Sequence, residues 1–343
     1  MLLWGKEYTR EELMKRIGDT SQLFGVRKSV LDDGAGRGMR VIDVYTATGL
    51  KFTVLPDRGM DIGVCTYKGI PISFVSKTGY VSPYLYDHRG NGFLRSFTAG
   101  LLTTCGYTHV GPPCEDGGEQ LGLHGRATSL PADEVCAEGT WIDNEYKMVI
   151  SGKTREAAVF GENIRMHRTI TVNAGESKIV LRDVFENLGF EAQPIHMLYH
   201  CNFGWPIVSE HTMLETSECN SVEPRDDNAA LGIEQSREFD PPIHAYKEQC
   251  FFYDMICDST GRVYASLCNK EIGITMKLSF YKEQLPYFTQ WKQMGEGDYV
   301  CGLEPGTGYP EGRVSARDNG RVYMLKPGEK KENILEIEVL EQE

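Results

Sequence analysis

Apolar residues in this chain recur at every second position, and that period governs what it can fold into. Leu50, Phe52 and Val54 alternate with Lys51 and Thr53. Ile164, Met166, Ile170 and Val172 alternate with Arg165, His167, Thr169 and Thr171, and Leu335, Ile337 and Val339 with Glu336 and Glu338. Successive side chains of a strand point to opposite faces, so each run describes a strand with one apolar face and one wetter face. Turn-forming clusters separate the runs: Thr48-Gly49, Asn173-Ala174-Gly175-Glu176, Ser259-Thr260-Gly261 and Lys326-Pro327-Gly328-Glu329. No long helical pattern lies between them, which argues against βαβ units and a parallel sheet. The exception is the start. Thr9-Arg10-Glu11-Glu12 has the form of a capping box, Leu13 and Ile17 supply an apolar stripe, and Gly18 is the expected stop. The pattern predicts an all-β chain, one large antiparallel β-sandwich over residues 1–343 as a single domain, with a helical segment inside residues 1–20.

Composition limits the partners. At 343 residues and 41% hydrophobic content the chain can build a large core, and β-sandwiches often exceed 200 residues as one unit. No apolar stretch approaches the roughly 20 residues needed to cross a bilayer, and Met1–Arg16 lacks the apolar core of a signal peptide. A cytoplasmic protein without membrane contact is expected. The ten cysteines form no CxxC pair and read as reduced, mostly buried thiols. A net charge of −13 with no Lys/Arg run disfavours nucleic acid and anionic membranes and leaves a neutral small molecule as the expected partner. The Gly34–Gly38 stretch leads into a strand, not a helix, so it reads as a hairpin connection and not as a dinucleotide fingerprint. Glu215–Gln235, the most polar segment, reads as a long surface loop.

Polar side chains break the alternation at a few places. In Ile195–Phe203 the odd positions are Ile195, Met197, Tyr199, Cys201 and Phe203, while His196, His200 and Asn202 share the other face with Leu198. A solvent face more usually carries Lys, Glu and Thr, so this face reads as a pocket wall, with His196 the more structural of the two histidines. Tyr299–Thr307 repeats the logic and delivers Glu304 at a strand end, beside Gly302, before a Pro-Gly turn. Partial burial there would raise its pKa toward that of a useful base. Between Cys114 and Arg126, glycines flank His124 in a segment able to approach a ligand closely. Arg95 and His109 bracket a small-residue stretch that could line a cavity floor. Gln290 and Trp291 precede the Glu304 strand, and an aromatic platform beside amide, Arg and carboxylate groups suits the apolar faces and hydroxyl edges of a sugar.

Four motifs taken in order carry a resemblance over nearly the whole chain: Leu55-Pro56-Asp57-Arg58-Gly59-Met60-Asp61-Ile62, Gly122-Leu123-His124-Gly125-Arg126, Tyr199-His200-Cys201-Asn202-Phe203-Gly204 and Gly302-Leu303-Glu304-Pro305-Gly306. Together they resemble the galactose mutarotase (aldose 1-epimerase) superfamily, in a divergent bacterial branch. The resemblance implies a large antiparallel β-supersandwich and an isomerase that interconverts sugar anomers by acid–base ring opening without metal or cofactor. It places the base on Glu304, the acid on His200, and sugar-holding roles on His124 and Arg95. His109, Arg126, Asn202, Gln290 and Trp291 complete the expected substrate-binding set. The family's sugar-binding aspartate has no match here, since Asp226, Asp227 and Asp254 lack the surroundings, and Tyr199 stands where an Asn usually precedes the histidine.

Two rival functions share these residues. A carbohydrate carrier or sensor would keep the pocket without turnover. A metal-dependent sugar isomerase or lyase would use His124, His196, His200 and Glu304 as ligands. Two histidines four apart on one strand face, however, stand roughly 13 Å apart at about 3.3 Å per residue, too far to chelate one ion together. A homodimer is compatible with either activity.

Overall fold

Pairing of the alternating runs produces two large antiparallel sheets in the computed structural model, which describes residues 1–342. The larger has eleven strands. Its order is Cys219–Pro224, Gln249–Met255, Tyr287–Gly295, Asp298–Gly306, Leu198–Gly204, Leu102–Cys105, Asp61–Tyr67, Leu50–Leu55, Arg40–Tyr45 and Gly25–Val30, with Ile70–Pro71 added beside Asp61–Tyr67. The smaller has eight, in the order Asp133–Ile142, Glu145–Ala157, Asn163–Asn173, Lys178–Asn187, Lys330–Glu341, Ile274–Tyr281, Arg262–Asn269 and Thr212–Thr216.

The core lies between the sheets because both turn their apolar parity inward. Ile42, Val54, Tyr199 and Phe203 of the larger sheet join Met166, Ile170, Leu181 and Leu335 of the smaller in one buried cluster. Arg168 interrupts that face. Its guanidinium is fully buried and forks onto Asp183 at 2.8 and 2.6 Å, and it reaches across the core to the Thr104 hydroxyl at 2.8 Å. The Tyr199 hydroxyl donates to the same Asp183 at 2.8 Å. A charged network thus passes directly behind His200, paired as a buried charge must be.

The N-terminal helix is Arg10–Met14. Its capping box is complete, with the Glu12 amide donating to Thr9 Oγ1 at 3.2 Å and the Thr9 amide to Glu12 Oε2 at 2.9 Å. It ends short of Gly18, so the stop expected there is not the one used. Gly34–Gly36 forms a single 3₁₀ turn joining Gly25–Val30 to Arg40–Tyr45, a hairpin connection as expected. All ten cysteines are unpaired; six are buried, while Cys136 and Cys257 are exposed. Among the described residues no helix is long and apolar enough to cross a membrane.

Two expectations need correction. Glu215–Gln235 is not a long loop: it holds the edge strand Cys219–Pro224 and the short helix Asp227–Ala230, capped by Asp226. An edge strand half wetted on both faces shows little alternation, which is why composition concealed it. Ile195–Phe203 is also not one strand. Gln193–Ile195 pairs with Tyr323–Leu325, and Leu198–Gly204 enters the large sheet after a break at His196 and Met197.

Candidate active site

The outer face of the large sheet carries the site, and strand register assembles it. Leu198 pairs with Gly306 and Cys201 with Leu303, a register that sets His200 opposite Glu304 on neighbouring strands. Inward parity belongs to Tyr199, Cys201 and Leu303, so His200 and Glu304 must point outward together. Their side chains meet at 3.1 Å, from His200 Nε2 to Glu304 Oε1, with only 7% and 3% of each exposed. Gly302 makes the space: a Cβ there would stand 2.4 Å from Glu304 Oε1.

A small apolar cluster on the outer face of the sheet roofs the pair. Phe93, Phe97, Ala99, Cys105, Val110 and Leu198 form it, with Leu123 and Trp291 packed against it. His200 is boxed by rings: Phe97 at 5.3 Å, Trp291 at 5.2 Å and His124 at 6.0 Å between centroids. The motif around Arg58 holds this roof down. The buried Arg58 guanidinium donates to the carbonyls of Val81 and Ser96 and to Thr128 Oγ1, while Asp61 accepts from Thr104 and Thr128. His124 takes a left-handed φ of 59°, rare for a side chain other than glycine, fixed by its amide donating to the Gly111 carbonyl and its carbonyl accepting from the Gly106 amide.

Under the roof lies a cavity of about 570 Å³, lined by His124, His200, Glu304, Trp291, Phe97 and Phe252, with Arg225, Glu248 and Glu311 among its polar groups. The size falls within the ~300–1,000 Å³ of small-molecule sites. Burial sets the proton affinities. It holds the His200 imidazole down at about 4, with the Asn202 side chain acting the other way. It pushes the Glu304 carboxyl well above the ordinary carboxylate range, helped by the charge of Glu248 and opposed by Arg225. His124 falls to about 3 through burial and the neighbouring His200, so at neutral pH it is an uncharged imidazole. His200 Nδ1, His124 Nδ1 and Glu304 Oε1 are buried without hydrogen-bond partners, so the 3.1 Å contact is a close approach and not a formed hydrogen bond. A neighbouring acid–base pair in an aromatic-walled cavity can move a proton to one atom of a ligand and from another.

Of the expected site residues, the structure brings His124, His200, Glu304 and Trp291 to the cavity. The others stand elsewhere. Gln290 and Trp291 are consecutive on a strand and cannot share a face: Trp291 sits opposite Gly302, while Gln290 is fully buried, accepting from the Tyr253 hydroxyl and donating to the Ser236 carbonyl. Asn202 is buried beside His200, donating to the His200 carbonyl. His109 lies behind the wall, its Nδ1 accepting from the Arg313 amide at 3.2 Å. Arg126 is partly exposed beside Glu119 at 3.8 Å, and Arg95 is exposed at the end of a 3₁₀ turn. His196 has both ring nitrogens engaged, by the Val110 amide and the Tyr309 carbonyl, and points away from the cavity. Arg225, Glu248, Phe252 and Phe97 went unmarked in the sequence. The first two flank strands whose pairing alone brings them to the wall, and no local motif announces them.

Comparison with known proteins follows the geometry. Residues 36–339 match the family model DUF4432, described as a domain of unknown function. No curated protein matches the sequence. A candidate aldose 1-epimerase from Klebsiella pneumoniae subsp. pneumoniae superposes with a TM-score of 0.89 at 26% identity, over 94% of this chain and 86% of that one. A galactose mutarotase-like protein from Clostridium acetobutylicum has a TM-score of 0.67 at 13% identity, over 94% and 100%. A galactose 1-epimerase from Lactobacillus acidophilus NCFM has a TM-score of 0.59 at 13% identity, over 93% and 100%. The last two likenesses establish the fold alone.

Proposed function

This chain belongs to the DUF4432 family and has the galactose mutarotase-like fold, and we propose that it interconverts the anomers of a sugar or sugar derivative. The observation that carries the reading is the 3.1 Å approach of His200 and Glu304 at the base of an aromatic-walled cavity. The two groups stand close enough for one proton to pass between them. Burial favours that proton on Glu304 in the resting cavity. Transfer to His200 Nε2, as sugar hydroxyls donate to the carboxylate, yields a carboxylate base beside an imidazolium acid.

Glu304 then takes the proton of the anomeric hydroxyl while His200 protonates the ring oxygen. The bond from C1 to the ring oxygen breaks and the C1 carbonyl forms. After rotation about C1–C2 the ring oxygen attacks the other face, returning its proton to His200 as the carbonyl oxygen takes one from Glu304. Neutral His124 offers one donor and one acceptor to ring hydroxyls, and Trp291 offers a flat apolar face to the C–H side of the sugar.

The test is two-dimensional exchange NMR of anomeric protons across a panel of aldoses and derivatives. Exchange accelerated by the protein and reduced about 10²–10⁴-fold by Glu304→Gln, the range for a general acid–base group, is the expected result. Saturable sugar binding with exchange at the background rate would leave a carrier or sensor instead.

A further inference from the structure

Beside Trp291, the cavity wall carries an ion pair to which the ring-opening steps assign nothing. Arg225 follows the edge strand Cys219–Pro224, its amide donating to the Cys250 carbonyl at 2.9 Å, and Glu248 precedes Gln249–Met255. Arg225 Nη2 stands 3.1 Å from Glu248 Oε1, and Trp291 Nε1 donates to the other oxygen, Glu248 Oε2, at 2.8 Å. The Trp291 ring meets His200 edge-on at 5.2 Å and 73°. A single line of contacts therefore runs from Arg225 through Glu248 and Trp291 to the acid–base pair.

The line is fixed at every joint. Arg225 is held by Asp226 at 2.9 Å and lies 3.0 Å from Cys250 Sγ, and Asp226 is itself tied as the helix cap accepting from the Ala229 amide. Both Glu248 oxygens are engaged, and the indole has only one N–H to give. Gly302 leaves room for the base of the Trp291 side chain, since a Cβ there would lie 3.1 Å from Trp291 Cβ. With 33% and 46% of the two side chains exposed, the ion pair contributes little to folding stability. Its consequence is geometric and electrostatic.

We infer that Glu248, clamped by Arg225, is a positioning residue that fixes the Trp291 indole against His200 and balances the charge around the Glu304 carboxyl. The charged and titratable groups facing that carboxyl are His200, His124, Arg225, Glu248 and Glu311, with the thiols of Cys105 and Cys250. Burial keeps both thiols neutral, and Glu311 is paired with Arg321 at 2.6 Å. Arg225 and Glu248 therefore act on the proton affinity of the Glu304 carboxyl with opposite signs.

The kinetic part of this inference rests on the anomer-exchange reading, so wild-type exchange is measured first. Glu248→Ala and Trp291→Phe should each lower kcat/KM by roughly tenfold, the size of a hydrogen bond to a charged group, and the double variant should lose little more than either alone. Glu248→Gln keeps an acceptor for the indole and should retain most of kcat. Removing its negative charge should move the pH–rate bell to lower pH, whereas Arg225→Gln should move it to higher pH. A folding defect has no reason to produce opposite displacements; shifts of one sign, or none, overturn the inference. Should the wild type exchange no sugar, the function reading fails and the clamp is judged on ¹⁵N NMR of the Trp291 indole N–H. That proton should be slow to exchange with solvent in the wild type and Glu248→Gln and fast in Glu248→Ala; equal rates in all three overturn the clamp.

Discussion

Glu304 illustrates how much one missing methyl group can decide. Its carboxyl occupies the space that a side chain at position 302 would fill, 2.4 Å from where that Cβ would stand. Gly302→Ala should therefore displace the carboxyl from His200, and press on Trp291 Cβ at 3.1 Å, while the backbone stays, because the closest clashing atom is the end of a flexible side chain. The cost in stability should be about 1–3 kcal/mol, as for other overpacked buried positions, but exchange should fall at least about 10²-fold. Paired measurement of melting temperature and kcat checks this. An active variant would mean that the carboxyl need not sit where it does. The same residues show what local sequence could reveal. Parity in Tyr299–Thr307 and Ile195–Phe203 exposed Glu304 and His200 because each stands among apolar neighbours of the opposite face. Gln290 beside Trp291 misled because both residue types suit a sugar, and strand geometry admits only one of two consecutive side chains to a face. Arg225 and Glu248 had no signal of their own, since only pairing across three strands brings them to Trp291.

At the scale of elements, the strand Glu145–Ala157 ends on an inward carboxyl that the chemistry does not use. Glu156 is 5% exposed, accepts from Thr108 Oγ1 at 3.3 Å, and has its other oxygen unpartnered. Burial first, and the nearby Glu162 second, raise its pKa to about 7 from an ordinary 4.5, against the pull of Arg126 and Thr108. In the folded chain it keeps its proton up to about pH 7, while the unfolded chain releases it near pH 4.5. Its contribution is therefore fully present below about pH 4.5 and is lost as pH rises to about 7. Glu156→Gln retains an acceptor for Thr108 and escapes this loss. The variant should gain stability relative to the wild type between those limits, by up to about 1.4 kcal/mol per unit of pKa difference, with the difference level above pH 7. Denaturant unfolding of both proteins at pH 5, 6, 7 and 8 reads it directly; a constant difference would mean that Glu156 is ionised in the folded chain at all of these values. No sequence pattern marked Glu156, because strand parity cannot tell a solvated glutamate from one capped by another segment, here the one carrying Thr108. The runs in Leu50–Leu55, Asn163–Asn173 and Lys330–Glu341 were readable in the sequence because each alternates buried and wetter positions, whereas the edge strand Cys219–Pro224 was not.

Across the whole molecule, the two sheets have no separate cores. Met1 and Leu3 at one end of the chain and Leu335, Ile337 and Val339 at the other share one buried cluster with both sheets. Arg168 of the smaller sheet is bound to Asp183 of its own sheet and, across the core, to Thr104, with Asp61 at 3.6 Å. Removing this guanidinium would leave buried carboxylates unpaired, so Arg168→Met should lose about 3–5 kcal/mol. The loss should be felt equally by both sheets, because neither can keep its inner face once the other has left. We therefore expect residues 1–342 to unfold as one cooperative unit. Tryptophan supplies a reporter in each sheet, Trp141 in the smaller and Trp291 in the larger. With fluorotryptophan incorporated, ¹⁹F NMR follows the two resonances separately through a denaturant series. Both should disappear at one midpoint in the wild type and at one lower midpoint in Arg168→Met; two midpoints in either protein would divide the chain into independently folding parts. A common midpoint would also tie the site to the core. His200 lies on the strand whose neighbour Tyr199 binds Asp183 at 2.8 Å, so sugar binding that stabilises the His200 face should raise the Trp141 midpoint as much as that of Trp291.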